Sequence, residues 1–226
     1  MSHDGSPLLA IFDHDGVMVD SLAFHQDAWV ELGRRSGLAI TPEFVHETFG
    51  MTNPAILEKL LGDAYRLEDV DRYGGLKEDC YRELARGKIT LMAGVRELFD
   101  GLTASGVLLG IGSSAVRPNL DLTIESCGLA RYFAAIASLE DIERGKPDPQ
   151  VFLVAAGKAG VEPRCAVVFE DAPVGIQAAK AAGMRAVGVT TSHPASFLWD
   201  AGADEVVESL EGYDVGSLIG RLRQGS

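Results

Sequence analysis

Cysteines, basic residues and long apolar runs are all scarce in this 226-residue chain. The three cysteines, Cys80, Cys127 and Cys165, lie far apart and have none of the paired spacings that zinc sites and redox motifs need. They are predicted to be buried thiols of a reducing compartment, and the expected location is the cytoplasm. No segment approaches the roughly 18 apolar residues of a membrane-spanning helix. The apolar run that follows the polar residues 1–7 is too short for a signal peptide.

Charge is strongly unbalanced, with 20 lysines and arginines against 33 acidic residues and a formal net charge of −13. Nucleic acids and anionic lipid surfaces are bound mainly by neutralising their phosphates with basic side chains. The composition therefore argues against both as partners. With 46% hydrophobic residues, the chain is that of an ordinary globular protein with a substantial core.

Short apolar runs of strand length alternate with helical stretches, which predicts an α/β fold: a Rossmann-like parallel sheet with helices on both faces. The predicted strands span residues 8–13, 107–112, 134–138, 166–169, 186–189 and 205–207, and the predicted helices span 95–105, 118–127, 150–160 and 173–182. Only helical periodicity occurs from residue 21 to about residue 86, where Gly74-Gly75 is a potential break or bend. We expect a core domain at 1–20 and 91–226 and a helical domain inserted at 21–90.

Two acidic pairs follow predicted strands. Asp13 and Asp15 end the first apolar run, and Glu170-Asp171 follows the run at 166–169. The carboxyl ends of parallel strands form the edge where ligands bind, so three or four carboxylates are expected to converge there. Such hard oxygen ligands suit Mg²⁺ together with a substrate phosphate. Taken singly, each pair could instead form a turn or cap a helix.

Two loops are suited to hold a phosphate. Ser113 and Ser114 bring small hydroxyls and backbone amides to the same edge of the sheet, just before a helix. The segment also fits a dinucleotide-binding pattern, but Pro118 indicates that the helix starts too late for that turn, so no nucleotide cofactor is expected. Lys146 lies in a loop stiffened by flanking prolines, where its ammonium could neutralise a phosphate or simply be solvated.

Taken in order, four motifs resemble those of the haloacid dehalogenase (HAD) superfamily. They are Asp13-His14-Asp15-Gly16-Val17, Gly112-Ser113-Ser114, Gly145-Lys146-Pro147-Asp148-Pro149 and Glu170-Asp171-Ala172-Pro173. The resemblance spans nearly the whole chain, and the inserted helices resemble the helical cap of β-phosphoglucomutase-like phosphatases. The dehalogenases of the superfamily lack a second aspartate in the first motif, so Asp15 favours phosphate chemistry.

The resemblance implies a role for each motif residue. Asp13 would be the nucleophile that forms an aspartyl phosphate, and Asp15 would be the general acid and base. Glu170 and Asp171 would complete a Mg²⁺ site to which Asp13 and the backbone carbonyl of Asp15 also contribute.

Of the remaining motif residues, Ser113 and Lys146 would be catalytic, and Gly16 and Ser114 would bind substrate. Ser113 and Lys146 would hold the transferring phosphoryl oxygens. Gly16 would let the backbone turn beside the phosphate, and Ser114 would line the same site.

Three residues of the inserted helices are also predicted to bind substrate: His25, Asn53 and Lys77. His25 and Lys77 match substrate-contacting positions of β-phosphoglucomutase, although a packing histidine and a solvated lysine are the alternatives. In Gly50-Met51-Thr52-Asn53, Asn53 stands where the mutase has an arginine for its second phosphate, which weakens a mutase assignment.

The leading hypothesis is a Mg²⁺-dependent phosphatase of a small phosphorylated metabolite, with a sugar phosphate as the expected substrate. A phosphohexomutase of the β-phosphoglucomutase type is the alternative, and a non-catalytic phosphoacceptor module is a third reading. The sequence identifies no particular substrate and leaves the oligomeric state open, with a monomer expected.

Overall fold

The computed structural model describes residues 6–48 and 52–224. The chain divides into two compact units, one comprising the residues up to Asp20 and from Thr90 onward, the other Ser21–Ile89. We call them the sheet unit and the helical unit. The second boundary lies one residue before the expected one, between Ile89 and Thr90. No helix of the described residues has the length and apolar character to cross a membrane.

The described residues of the helical unit form four α-helices. These are α1 (Leu22–Ser36), α2 (Pro42–Glu47), α3 (Asn53–Leu61) and α4 (Gly75–Ala85). Threonines accept hydrogen bonds at the starts of α2 and α3, each followed by proline in the first turn, which needs no donor there. A π-helical turn, Val70–Gly74, leads into α4, so the helical geometry changes at the Gly74-Gly75 pair.

The described residues of the helical unit pack around an apolar cluster. It is formed by Trp29, Leu32, Ile40, Val45, Ile56 and Leu57. Trp29 and Leu32 of α1 are three residues apart, a spacing that places both side chains on one face of the helix, and α3 contributes the adjacent residues Ile56 and Leu57.

The sheet unit is built on six parallel strands in the order β3-β2-β1-β4-β5-β6. The strands are β1 (Leu9–Phe12), β2 (Leu108–Gly112), β3 (Phe133–Ala137), β4 (Ala166–Glu170), β5 (Arg185–Val189) and β6 (Glu205–Val207). Every residue of β1 and β4 is buried, as expected for central strands covered on both faces. The predicted parallel-sheet fold is therefore confirmed.

Six helices accompany this sheet. They are α5 (Val95–Ala104), α6 (Arg117–Ser126), α7 (Gln150–Ala159), α8 (Pro173–Ala181), α9 (Ala195–Asp200) and α10 (Val215–Gln224). The first four match the sequence prediction to within a residue at each end. The last two were not predicted, because α9 is only six residues long and α10 contains two glycines, which weaken a helical pattern.

None of the three cysteines, all of which lie in the described residues, forms a disulfide bond. Cys80 and Cys165 are buried as predicted, whereas Cys127 is only partly buried because it lies at the C-terminal end of α6.

Candidate active site

A buried carboxylate cluster lies at the carboxyl ends of the two central strands. β1 and β4 are parallel neighbours with Phe12 opposite Phe169, and the Asp13 amide donates to the Phe169 carbonyl at 3.0 Å. The next residues along each strand therefore meet at the edge. One oxygen from each of Asp13, Glu170 and Asp171 lies within 4.8 Å of the others, and all three residues are buried.

Lys146 supplies positive charge to this cluster. Its ammonium lies 3.0 Å from Asp13 Oδ1 and 2.5 Å from Glu170 Oε1, and also 4.9 Å from the centroid of the Phe152 ring. Burial disfavours the charged ammonium, but Asp13 and Glu170 outweigh burial and raise the pKa of Lys146. Lys146 is therefore a charged member of the cluster, and one cation faces three carboxyl groups.

Burial and the excess of negative charge in the cluster raise the pKa values of two of its carboxyl groups. Burial is the largest cause that raises the pKa of Glu170, although Lys146 opposes it. Burial and the neighbouring Glu170 and Asp13 raise the pKa of Asp171 to about 8. Part of the cluster therefore binds a proton near neutral pH unless another positive charge is present.

The cluster fits a divalent cation. Among the described residues, Asp13 Oδ1 is buried without a hydrogen-bond partner, although the Lys146 ammonium forms an ion pair with it at 3.0 Å. Glu170 Oε2 accepts from the amides of Asp171 and Ala172, both at 2.9 Å, which fixes that side chain. An all-oxygen donor set with excess negative charge is the kind that Mg²⁺ prefers.

Two glycines make room for the carboxylates. Gly16 has φ +76°, and a Cβ atom there would lie 1.9 Å from Asp171 Oδ2. A Cβ atom at Gly175, in the first turn of α8, would lie 1.8 Å from Glu170 Oε1. Side chains at either position would displace a carboxylate of the cluster.

Asp15 lies outside the three-carboxylate cluster and is held by a neighbouring histidine. β1 ends at Phe12 and the chain turns after Asp13, so strand alternation does not set the direction of Asp15. The Asp15 side chain is 37% exposed and accepts from His14 Nδ1 at 3.0 Å. The buried His14 ring also contacts Thr123 Oγ1 through Nε2 at 2.7 Å.

His14 was not identified from the sequence, although its place between two aspartates is a signal for such a contact. Its burial favours the neutral ring, but the charges of Asp15 and Asp13 and the hydrogen bond to Asp15 outweigh burial, and the pKa of His14 is raised. A ring fixed at both nitrogens restricts the orientation of Asp15.

Ser113 and Ser114 follow β2, the other neighbour of β1. The Ser113 amide donates to the Ala137 carbonyl at 3.0 Å, and its hydroxyl oxygen accepts from the Ala115 amide at 3.2 Å. Ser113 is buried and Ser114 is exposed. Both therefore lie at the predicted sheet edge, with Ser113 held in place by the loop.

The loop after β5 was missed by the sequence analysis. The Ser192 hydroxyl donates to Asp171 Oδ2, and His193 Nδ1 lies 3.1 Å from the Asp171 carbonyl oxygen. The same loop lines a cavity of about 490 Å³ together with Glu208. No local pattern in this short polar segment indicates the contact, because the contact with Asp171 depends on the order of strands in the sheet.

His25, Asn53 and Lys77 lie together in the helical unit. The Lys77 ammonium is 2.7 Å from His25 Nδ1 and 2.9 Å from Glu78 Oε1, and Asn53 Nδ2 donates to the same Glu78 oxygen at 3.0 Å. The His25 ring stacks on Tyr81 with centroids 4.2 Å apart. Because an ammonium only donates, His25 Nδ1 accepts and its proton is on Nε2.

Lys77 is not solvated, since its side chain is only 4% exposed. Glu78, which the sequence analysis did not identify, provides its opposite charge. Gly50 and Met51, which also entered the sequence comparison of this segment, lie outside the described residues.

Comparison with known proteins identifies the family. A sequence profile described as haloacid dehalogenase-like hydrolase matches residues 10–189. The validoxylamine A 7'-phosphate phosphatase of Streptomyces hygroscopicus subsp. limoneus is 32% identical over 210 residues, which cover 89% of this chain and 93% of that protein. The β-phosphoglucomutase of Bacillus subtilis (strain 168) is 31% identical over 205 residues, or 87% of each chain.

The fold comparison agrees. The crystal structure of a HAD hydrolase, family IA, variant 3 from Entamoeba histolytica HM-1:IMSS has a TM-score of 0.86 to this chain. It is 25% identical, and the alignment covers 96% of this chain and 99% of that one.

The chain therefore belongs to the haloacid dehalogenase-like hydrolase family, as its four motifs predicted. It is an enzyme of the HAD hydrolase type, and its named relatives include phosphatases.

Proposed function

We propose that the protein is a Mg²⁺-dependent phosphatase that hydrolyses a small phosphorylated metabolite through an aspartyl phosphate on Asp13. The observation that carries this proposal is the buried cluster of Asp13, Glu170 and Asp171 with Lys146 at the carboxyl edge of the sheet. A nucleophilic carboxylate, a fixed cation and further oxygen ligands are what phosphoryl transfer requires, because it depends mainly on positioning and charge stabilisation.

In the first step, an Asp13 carboxylate oxygen attacks phosphorus and the bond to the alcohol oxygen breaks. Lys146 and Ser113 bind the equatorial oxygens of the transferring group. Mg²⁺ bound by Asp13, Glu170 and Asp171, with the Asp15 backbone carbonyl, would add the positive charge that the phosphoryl oxygens need. The protonated Asp15 carboxyl gives its proton to the leaving alcohol.

In the second step, Asp15 takes a proton from a water molecule, which attacks the phosphoryl group and releases Asp13. A general acid and base has to exchange protons with substrate and water, and the partly exposed Asp15 side chain suits this task. His14 keeps Asp15 oriented through its hydrogen bond, while Gly16 and Ser114 would give the phosphate close access to the backbone.

We further propose that His25, Asn53 and Lys77 recognise the hydroxyl groups of a sugar or sugar-like substrate. Glu78 offsets the charge of Lys77 and also accepts from Asn53, so the Lys77 ammonium is already paired with a carboxylate. Such a set suits neutral hydroxyls better than a second phosphate. A phosphohexomutase has to bind a bisphosphate, and the pairing of Lys77 with Glu78 therefore favours the phosphatase over the mutase.

The test is phosphate release from a panel of hexose, pentose and short-chain phosphates, with and without Mg²⁺. Asp13→Asn should reduce the rate at least about a thousandfold, because it removes the nucleophile. Asp121→Asn is the matched control, since Asp121 is exposed on α6 and pairs with Arg117 there.

Metal-dependent release that is lost in Asp13→Asn and kept in Asp121→Asn supports the proposal. Turnover that survives in Asp13→Asn contradicts the assigned nucleophile. Conversion of a hexose 1-phosphate to its 6-phosphate without release of phosphate would instead establish the mutase.

A further inference from the structure

The loop after β5 is brought to Asp171 by the order of the strands. β4 and β5 are parallel neighbours with Glu170 opposite Gly188, so the segments that follow them leave the sheet side by side. Asp171 begins one segment, and Ser192-His193 lies three residues beyond the end of the other. Neither residue of this pair belongs to the four motifs.

Two contacts from this loop hold Asp171 at both its side chain and its backbone. The Ser192 hydroxyl donates to Oδ2 of the carboxylate. His193 Nδ1 lies 3.1 Å from the Asp171 carbonyl oxygen, and because a carbonyl only accepts, Nδ1 carries the ring proton in this contact.

The Asp171 carboxylate also lies close to Gly16. A Cβ atom at Gly16 would lie 1.9 Å from Asp171 Oδ2 and 3.1 Å from Ser192 Oγ. The carboxylate oxygen and the hydroxyl therefore converge on one small space beside the first motif. A hydroxyl that occupies Oδ2 leaves the second carboxylate oxygen to bind a cation.

We propose that Ser192 and His193 are positioning residues that orient Asp171 for the divalent cation. The inference rests on the proposed function for its metal site and adds residues to it. Groups that hydrogen-bond to metal ligands fix their orientation, and their loss typically weakens metal affinity about 10–100-fold.

The experiment measures Mn²⁺ affinity by electron paramagnetic resonance of the free ion, in the absence of any substrate. Ser192→Ala and His193→Phe each remove a donor, whereas Ser192→Thr and His193→Asn keep one. Ser196→Ala is the matched control, because Ser196 is an exposed serine of α9. Asp171→Asn shows the effect of weakening the ligand itself.

We expect the dissociation constant for Mn²⁺ to rise about tenfold or more in Ser192→Ala and in His193→Phe. It should stay near the wild-type value in the conservative variants and in Ser196→Ala. In phosphatase assays the same two variants should need more Mg²⁺ for half-maximal rate, with KM for substrate unchanged at saturating Mg²⁺.

Wild-type Mn²⁺ affinity in both Ser192→Ala and His193→Phe would overturn the inference, as would equal losses in the conservative variants. Thermal unfolding without metal shows whether each variant is folded, and the His193 pair tests the claim if a Ser192 variant is not. A wild-type protein that binds Mn²⁺ but releases phosphate from no substrate would contradict the proposed function alone.

Discussion

Replacing Lys146 with methionine should destabilise the metal-free protein strongly at pH 8. The ammonium lies within 3.0 Å of an oxygen of Asp13 and of one of Glu170, and the Glu170 side chain is completely buried. Methionine keeps most of the volume and removes the charge. Breaking a buried ion pair from one side costs about 3–5 kcal/mol, because an uncompensated charge remains. For a domain of this size that corresponds to a fall in Tm of roughly 6–20 °C.

The loss should shrink as the pH falls. The pKa of Glu170 is raised and that of Asp171 is raised to about 8, so the native state of the wild type already holds protons that the unfolded chain has released. Stability from these two groups therefore decreases as pH rises through this range. Without Lys146 their pKa values should rise further, and protonation at pH 6 should restore part of the lost stability.

The assay is thermal unfolding followed by circular dichroism at pH 6 and pH 8, without metal. Lys158→Met is the matched control, because Lys158 pairs with Asp141 at 2.7 Å on the surface, with its side chain 39% exposed. An exposed pair contributes at most about 1 kcal/mol. If Lys146→Met lowered Tm no more than Lys158→Met at pH 8, the buried cluster would not have the charges assigned to it.

Three further outcomes are expected. Gly16→Ala should lower the rate of phosphate release about 100-fold, because a Cβ atom 1.9 Å from Asp171 Oδ2 displaces that carboxylate. The positive φ of Gly16 should also cost the variant about 1–2 kcal/mol of stability, which denaturant unfolding measures. An unchanged rate of phosphate release would contradict the geometry. Mn²⁺ affinity should increase about tenfold for each unit by which the pH is raised from 6 to 8, because the ion displaces a proton from Asp171, whose pKa is about 8. A Mn²⁺ dissociation constant that does not change with pH would contradict this. Glu78→Gln should raise the ratio of kcat/KM for sugar bisphosphates to kcat/KM for monophosphates about tenfold. This factor corresponds to about 1.4 kcal/mol, because the variant no longer has a carboxylate that repels a second phosphate. Glu83→Gln, on the same helix but paired with Arg35, should leave that ratio unchanged.

The carboxylate cluster can be predicted from the sequence because it depends only on where two buried strands end and on their being parallel. Buried apolar runs define β1 and β4, and parallel strands release their chains at one edge, so Asp13 and Glu170-Asp171 had to be near one another. The roles of these residues remain proposals.

The supporting contacts could not be predicted from sequence in the same way. Ser192 reaches Asp171 only because β5 lies beside β4, and strand order is not written in any local pattern. Glu78 meets Asn53 across 25 positions of sequence through the packing of helices. The turn after Asp13, which leaves Asp15 outside the three-carboxylate cluster, likewise has no signal in the apolar run that precedes it.

The two segments of the sheet unit that flank the inserted helical unit are hydrogen-bonded to each other. Val19 forms an antiparallel bridge with Leu91, and the Met92 amide donates to the Met18 carbonyl at 2.9 Å. The chain therefore leaves the sheet unit and re-enters it through two neighbouring segments. Such a geometry tolerates removal or exchange of the intervening residues. A short linker in place of residues 21–89 should leave the sheet foldable, and helical modules from other proteins could be grafted at the same junction.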